Sequence, residues 1–181
     1  MNEWALHGRS GRPQRIAIVD DHQIVRAGFR ELLADELGLE IVLEAASGEA
    51  ALEALREQPV DVLLLDLSLP GQSGVDVLRA VRQRYEGTRV LMLSGFPEER
   101  YALAMIRNGA DGYLCKDCER DELIRAIRTV AEGRRYVSAR TAELLAEELA
   151  GLDHGGLGVF GVLREDRGPG RPVLCHGLRL A

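Results

Sequence analysis

The apolar residues of the first three quarters of this chain fall into five short runs, at 15–19, 40–45, 60–65, 89–93 and 112–115, separated by longer amphipathic stretches. Strand-length apolar runs that alternate with helix-length segments are the pattern of repeated βαβ units, in which a parallel sheet is buried between two layers of helices. Several runs are continuous Val, Ile and Leu, as strands covered on both faces are. The predicted fold class is therefore α/β: a doubly wound five-stranded parallel sheet over residues 15–133, followed by a connector helix. Four of the runs stop on a polar residue of a particular kind. Asp20 and Asp21 follow the first, Asp66 the third, Ser94 the fourth and Lys116 the fifth. Ligands of an open parallel sheet collect outside the carboxyl ends of its strands, so this topology converges these five side chains on one pocket.

The predicted helices carry their own punctuation. The first spans 22–36, with Val25, Phe29, Leu32, Leu33 and Leu37 on one stripe and Gly38 at its end. Ser47 is the N-cap of a second that runs through Arg56, and Pro59 forbids its continuation. Ser73 opens a third over 75–85, and Pro97 stands where the first turn of a fourth, 98–107, tolerates it, with Asn108-Gly109 as the C-cap pair. Asp117 or Cys118 opens a fifth that Gly133 closes. Residues 134–150 form the connector, with a helix over 138–149 that places Leu144, Leu145 and Leu149 on one face. Residues 1–14 read as a flexible extension. Residues 151–181 hold eight glycines and no sustained period, and read as a disordered or non-native tail: a frameshift or truncation product, or an evolved flexible ending.

Composition narrows the function classes. A chain of 181 residues accommodates one domain and a short remainder. A hydrophobic fraction of 46% supplies a core, and a net charge of −6 gives no electrostatic footprint for nucleic acid. No apolar stretch approaches the ~20 residues that span a bilayer, and residues 1–14 lack the apolar core of a secretory signal, so the expectation is a cytoplasmic protein without a membrane partner. Three cysteines argue against a disulfide framework. Cys115 and Cys118 form a C-x-x-C pair, but a zinc site needs four ligands, and Cys175 and His176 are the remaining candidates far along the chain.

Three carboxylates, a hydroxyl and an ammonium describe a place for phosphoryl chemistry on a divalent metal. Asp20, Asp21 and Asp66 are hard oxygen ligands suited to Mg²⁺, which binds through one or two carboxylates and keeps room for phosphate oxygens. Asp66 as nucleophile would attack a phosphoryl group whose charge is neutralised by the metal on one side and by Lys116 on another. Lys116 is the single lysine of the chain, every other fixed cationic side chain being arginine. A compact point charge retained at one strand end points to a task that a planar guanidinium does not perform. Ser94 can donate to a phosphoryl oxygen, and Tyr113 on the next strand can pack in or out with its movement. Taken singly each residue has a plain structural reading: helix-dipole carboxylates, a turn serine, a surface cation. Their order on successive strand ends favours the phosphoacceptor.

Residues 15–133, about two thirds of the chain, resemble the receiver domain of a two-component response regulator, a flavodoxin-like fold. The segment Leu65-Asp66-Leu67-Ser68-Leu69-Pro70-Gly71-Gln72-Ser73-Gly74 is similar to the family's phosphoacceptor loop, with the proline four and the glycine eight residues after the aspartate. The resemblance implies Mg²⁺ held by Asp20, Asp21, Asp66 and the backbone carbonyl of Ser68, a relay made of Ser94 and Tyr113, and Lys116 on the phosphoryl group. It implies a sensor histidine kinase as partner, leaves a homodimer open, and implies that the chain is no enzyme beyond its own Mg²⁺-dependent phosphorylation and dephosphorylation. Asp20-Asp21-His22, Val25-Arg26-Ala27-Gly28, Gly112-Tyr113-Leu114-Cys115-Lys116-Asp117 and 131–138 are similar to the NarL/FixJ type, whose members continue into a LuxR-like helix-turn-helix and regulate transcription. No such DNA reader is legible after Leu149. Two other readings are a stand-alone receiver acting by protein contact or as a phosphate sink, and a haloacid-dehalogenase-type phosphatase. The phosphatase needs a second aspartate two residues after the nucleophile, where this chain has Ser68.

Overall fold

The computed structural model of the protein describes residues 12–139, 141–143 and 146. Five strands, β1 (Gln14–Val19), β2 (Leu39–Ala45), β3 (Val62–Asp66), β4 (Arg89–Ser94) and β5 (Gly112–Cys115), alternate with five helices, α1 (Gln23–Leu33), α2 (Gly48–Glu57), α3 (Gly74–Arg84), α4 (Glu98–Arg107) and α5 (Arg120–Ala131). All neighbouring strands pair parallel, in the order β2-β1-β3-β4-β5. The chain leaves β1 for one side of the sheet and returns on the other at β3, which makes the β1/β3 boundary the topological switch point.

The apolar runs are continuous because both faces of the sheet are covered. Ala17, Val19, Leu63, Leu65, Val90, Met92 and Tyr113 pack into one layer with Ala51 and Leu55 of α2, Val77 and Val81 of α3 and Met105 of α4. The alternate residues Ile16, Ile18, Val62, Leu64, Leu91 and Leu93 pack into the other with Phe29 and Leu33 of α1 and Leu123, Ile127 and Val130 of α5. Each such aliphatic side chain, once buried, contributes about 2 kcal/mol relative to exposure.

Several boundaries differ from the sequence reading, each for a local reason. The first helix stops at Leu33, not at residue 36. Tight turns take over from Glu36 N to Leu33 O and from Leu39 N to Glu36 O, and Gly38 adopts φ +83°. Leu37 is consequently off the apolar stripe and 67% exposed. The fifth helix is capped by Glu119, because Cys118 is drawn back into a turn on Cys115 O and packs on the α1/α5 layer. The strand expected at 60–65 begins at Val62, with Asp61 diverted to accept from Arg15 N and to pair with Arg12 at 2.9 Å. The caps at Ser47 and Ser73 form as expected, each hydroxyl accepting from the amide three residues on. Of the connector, Ser138 caps a first helical turn at Thr141 and Ala142. Its Leu144, Leu145 and Leu149 lie outside the described residues, as do residues 1–11, Cys175, His176 and the whole of 151–181.

Candidate functional site

Three strand ends use the same local device. At the end of β1 the Asp20 carboxylate accepts from the His22 amide, 2.9 Å from Oδ1. At the end of β3 the Asp66 carboxylate accepts from the Ser68 amide at 3.0 Å, and at the end of β4 the Ser94 hydroxyl accepts from the Phe96 amide at 3.1 Å. A short polar side chain that accepts from the amide two residues on makes its own turn, which fixes both the exit of the chain and the direction of the side chain. The strands thus deliver Asp20, Asp66 and Ser94 to one edge of the sheet, all three at most 1% exposed.

Each carboxylate has its second oxygen left for the site. Lys116, one residue past β5, places Nζ 2.5 Å from Asp20 Oδ2 and 2.8 Å from Asp66 Oδ2. Apart from that ammonium, these two buried oxygens have no hydrogen-bond donor among the described residues, so each keeps acceptor capacity for a further ligand. Burial pushes the Asp66 carboxyl above the ordinary carboxylate range, and the Lys116 ammonium opposes that without cancelling it. Burial also works against the charged form of Lys116, but Asp66 and Asp20 outweigh it and hold the ammonium above its ordinary range. Asp21 lies more openly beside them, its carboxylate 2.9 Å from His22 Nδ1. Ligand atoms of Asp20, Asp21, His22 and Asp66 all lie within 4.8 Å of one another. A cluster of hard carboxylate oxygens, two of them buried and unsaturated, fits a divalent cation.

The β3–α3 loop is held close to the acceptor. A side chain at Gly74 would place its Cβ 2.2 Å from Asp66 O and 2.9 Å from Leu67 Cα, so only glycine lets α3 begin there. At β4, Phe96 links the two residues expected to form a relay. Its amide donates to Ser94, while its carbonyl accepts from the Tyr113 hydroxyl at 3.0 Å. Tyr113 is packed inward at 1% exposure, and burial pushes its phenol up to about 12.

All the sequence-predicted site residues, Asp20, Asp21, Asp66, Ser68, Ser94, Tyr113 and Lys116, therefore meet at one end of the sheet. Three contributors escaped the sequence reading. His22 joins the acidic cluster, and its position beside Asp20-Asp21 was the available signal. Arg26 donates to Asp20 O at 2.7 Å, one helical turn from that cluster. Phe96 acts through its backbone alone, for which no side-chain signal exists. Burial pushes Cys115 up to about 11 and Cys118 up to about 12, which favours the thiol form of both, and among the described residues neither cysteine joins a cluster of metal-ligating side chains.

Residues 16–128 match the family model described as the response regulator receiver domain. Among curated relatives, the transcriptional regulatory protein DegU of Brevibacillus brevis is 37% identical over 74% of this chain and 57% of its own length. The oxygen regulatory protein NreC of Staphylococcus aureus strain JH9 is 38% identical over 74% of this chain and 62% of its own. The chain thus spans roughly three fifths of the length of these relatives. Among solved structures, a LuxR-family two-component response regulator from Aurantimonas sp. SI85-9A1 superimposes with a TM-score of 0.70 at 37% identity, covering 76% of this chain and 99% of that one. The receiver domain of the response regulator NarL from Mycobacterium tuberculosis gives 0.64 at 38% identity, over 68% of this chain and 99% of that one. The strand order, the acidic strand ends and these matches agree, and the chain belongs to the response regulator receiver family, in its LuxR-family, NarL/DegU-type branch.

Proposed function

We propose that the chain takes a phosphoryl group from a sensor histidine kinase onto Asp66 and switches conformation in response. One observation carries this reading: the buried Asp66 and Asp20 carboxylates share the only lysine of the chain at 2.8 and 2.5 Å, with an oxygen of each otherwise unsaturated. In the transfer, an Asp66 oxygen attacks phosphorus, the bond from phosphorus to the kinase's imidazole nitrogen breaks, and the imidazole leaves with the electron pair. Lys116 then follows the negative charge from the carboxylate to the phosphoryl oxygens, a short movement for a flexible stem. Asp20, Asp21, Asp66 and the Ser68 carbonyl would hold Mg²⁺. Bound there, it would neutralise negative charge that gathers at the site during transfer. Ser94 exchanges the Phe96 amide for a donor role to a phosphoryl oxygen, which releases one of the two backbone contacts on Phe96.

With Mg²⁺ and a small phosphodonor, the wild type should gain one base-labile phosphoryl group and Asp66→Asn none, read by intact mass. Equal modification of both ends the reading. Transcription control is the output its relatives' names suggest, and a stand-alone receiver acting by protein contact is the second reading, favoured by a net charge of −6. A gel shift with the phosphorylated chain separates these two. The haloacid-dehalogenase reading falls away with the family match.

A further inference from the structure

β5 is the edge strand of the sheet, and the segment after α5 lies across its free edge. Tyr136 pairs with Gly112 in a parallel bridge and donates its amide to Asp111 O at 2.8 Å. A Cβ at Gly112 would stand 2.8 Å from Tyr136 O, so glycine permits the approach. Tyr136 packs into the α1/α5 layer, with its hydroxyl donating to Glu122 at 2.9 Å, whereas the next residue, Val137, packs into the opposite layer. The segment therefore crosses the sheet edge from the α5 side to the α4 side. There Ser138 opens a helical turn, accepting from Thr141 N at 3.1 Å, and Thr141, 1% exposed, donates its hydroxyl to the Glu98 carboxylate.

Glu98 is the first residue of α4 and lies two residues beyond Phe96. Phe96 is the residue whose amide is held by Ser94 and whose carbonyl is held by Tyr113. The connector is thus fastened to the segment that the phosphoacceptor site grips from its other end. Glu98 is the acceptor of this buried hydroxyl among the described residues, so a displacement of Glu98 takes that partner away, at a cost that favours undocking.

We propose that the Thr141–Glu98 contact is a latch that holds the first turn of the connector, residues 138–143, on α4 in the unphosphorylated protein and opens when Ser94 lets go of Phe96. The latch rests on the phosphoacceptor reading for its trigger but not for its existence. Its occupant is the chain's own connector.

Hydrogen exchange on the full chain tests the latch, with phosphoryl incorporation measured by mass in the same samples. In wild type the amides of 138–143 should exchange about tenfold faster once Asp66 is phosphorylated, the change expected when a hydrogen bond to a charged acceptor is lost. Thr141→Val, which keeps the shape without the hydroxyl, should show the fast exchange with no phosphodonor, and Thr141→Ser should stay slow. Coupling is reciprocal, so Thr141→Val should also speed exchange at the Phe96 amide. Glu98→Gln serves as a second opening variant. Phosphorylated Asp66 with unchanged exchange at 138–143 overturns the latch and leaves the phosphoacceptor reading standing. If no phosphoryl group is incorporated, that reading fails, and the latch is decided by Thr141→Val: exchange equal to wild type at both 138–143 and Phe96 overturns it.

Discussion

Asp66 is stabilised for chemistry and not for folding. Its folded-state proton affinity is raised by burial, against the pull of Lys116. A carboxyl with a raised pKa contributes stability below its unfolded pKa and loses it as pH rises through the folded value, so the ionised group is a net cost at neutral pH. Asp66→Asn removes that cost while Lys116 keeps Asp20 at 2.5 Å. The variant should melt about 2–4 °C above wild type at pH 7 in chelator, the response of a domain this size to ~1 kcal/mol, with the gap closing as pH falls toward 4. Thermal melts of both proteins across that range check the sign. A lower melting temperature for the variant at pH 7 would show the carboxylate to be a net contributor.

At the scale of elements, the β3–α3 junction is the most constrained joint of the site. The start of α3 presses on the backbone of Asp66 and Leu67, not on flexible side chains, so the contact has no easy relaxation. Gly74→Ala should destabilise by about 1–3 kcal/mol, as overpacking does, and should slow phosphoryl uptake by shifting the loop that carries Ser68. Urea unfolding gives the first quantity and a time course of intact mass the second. A stable variant with normal uptake would mean that the loop moves freely away from the new methyl. The Ser73 cap of the same helix sits one residue earlier, so the joint combines a cap with a close approach.

Among the described residues, the buried carboxylates divide between the two ends of the sheet. At the carboxyl end the carboxylates are left unsaturated. At the other end Asp111 is fully engaged: it accepts from Val90 N at 2.7 Å, lies 3.4 Å from Arg89 and pairs with Arg82, which also donates to Thr88 O at 3.2 Å. Asp111→Ala would strand the Val90 amide and the Arg82 guanidinium and should cost about 3–5 kcal/mol, while the folded fraction still takes up phosphoryl at Asp66. Denaturant unfolding together with mass analysis separates the two effects. Equal stability of the variant and wild type would show that solvent replaces Asp111.

Alternation of period, a property of consecutive residues, was enough to show the five strands, the two-faced burial of the sheet and the parallel topology. The topology rule then placed Asp20, Asp66, Ser94 and Lys116 together, because any strand end of such a sheet faces the same side. The singular lysine at the fifth strand end was a signal of composition and needed no structure. Periodicity names the face a residue occupies, however, and not the partner it meets. Leu37 has the spacing of the α1 stripe but sits beyond the helix end, where turns at Glu36 and Gly38 override the period. The hold of Glu36 on Arg120 and Arg128, the hold of Tyr113 on the Phe96 carbonyl, and the closure of Thr141 on Glu98 join residues that no local pattern relates. Such contacts depend on how helices seat against the sheet and on backbone groups common to every residue. Only packing in three dimensions decides which of them meet.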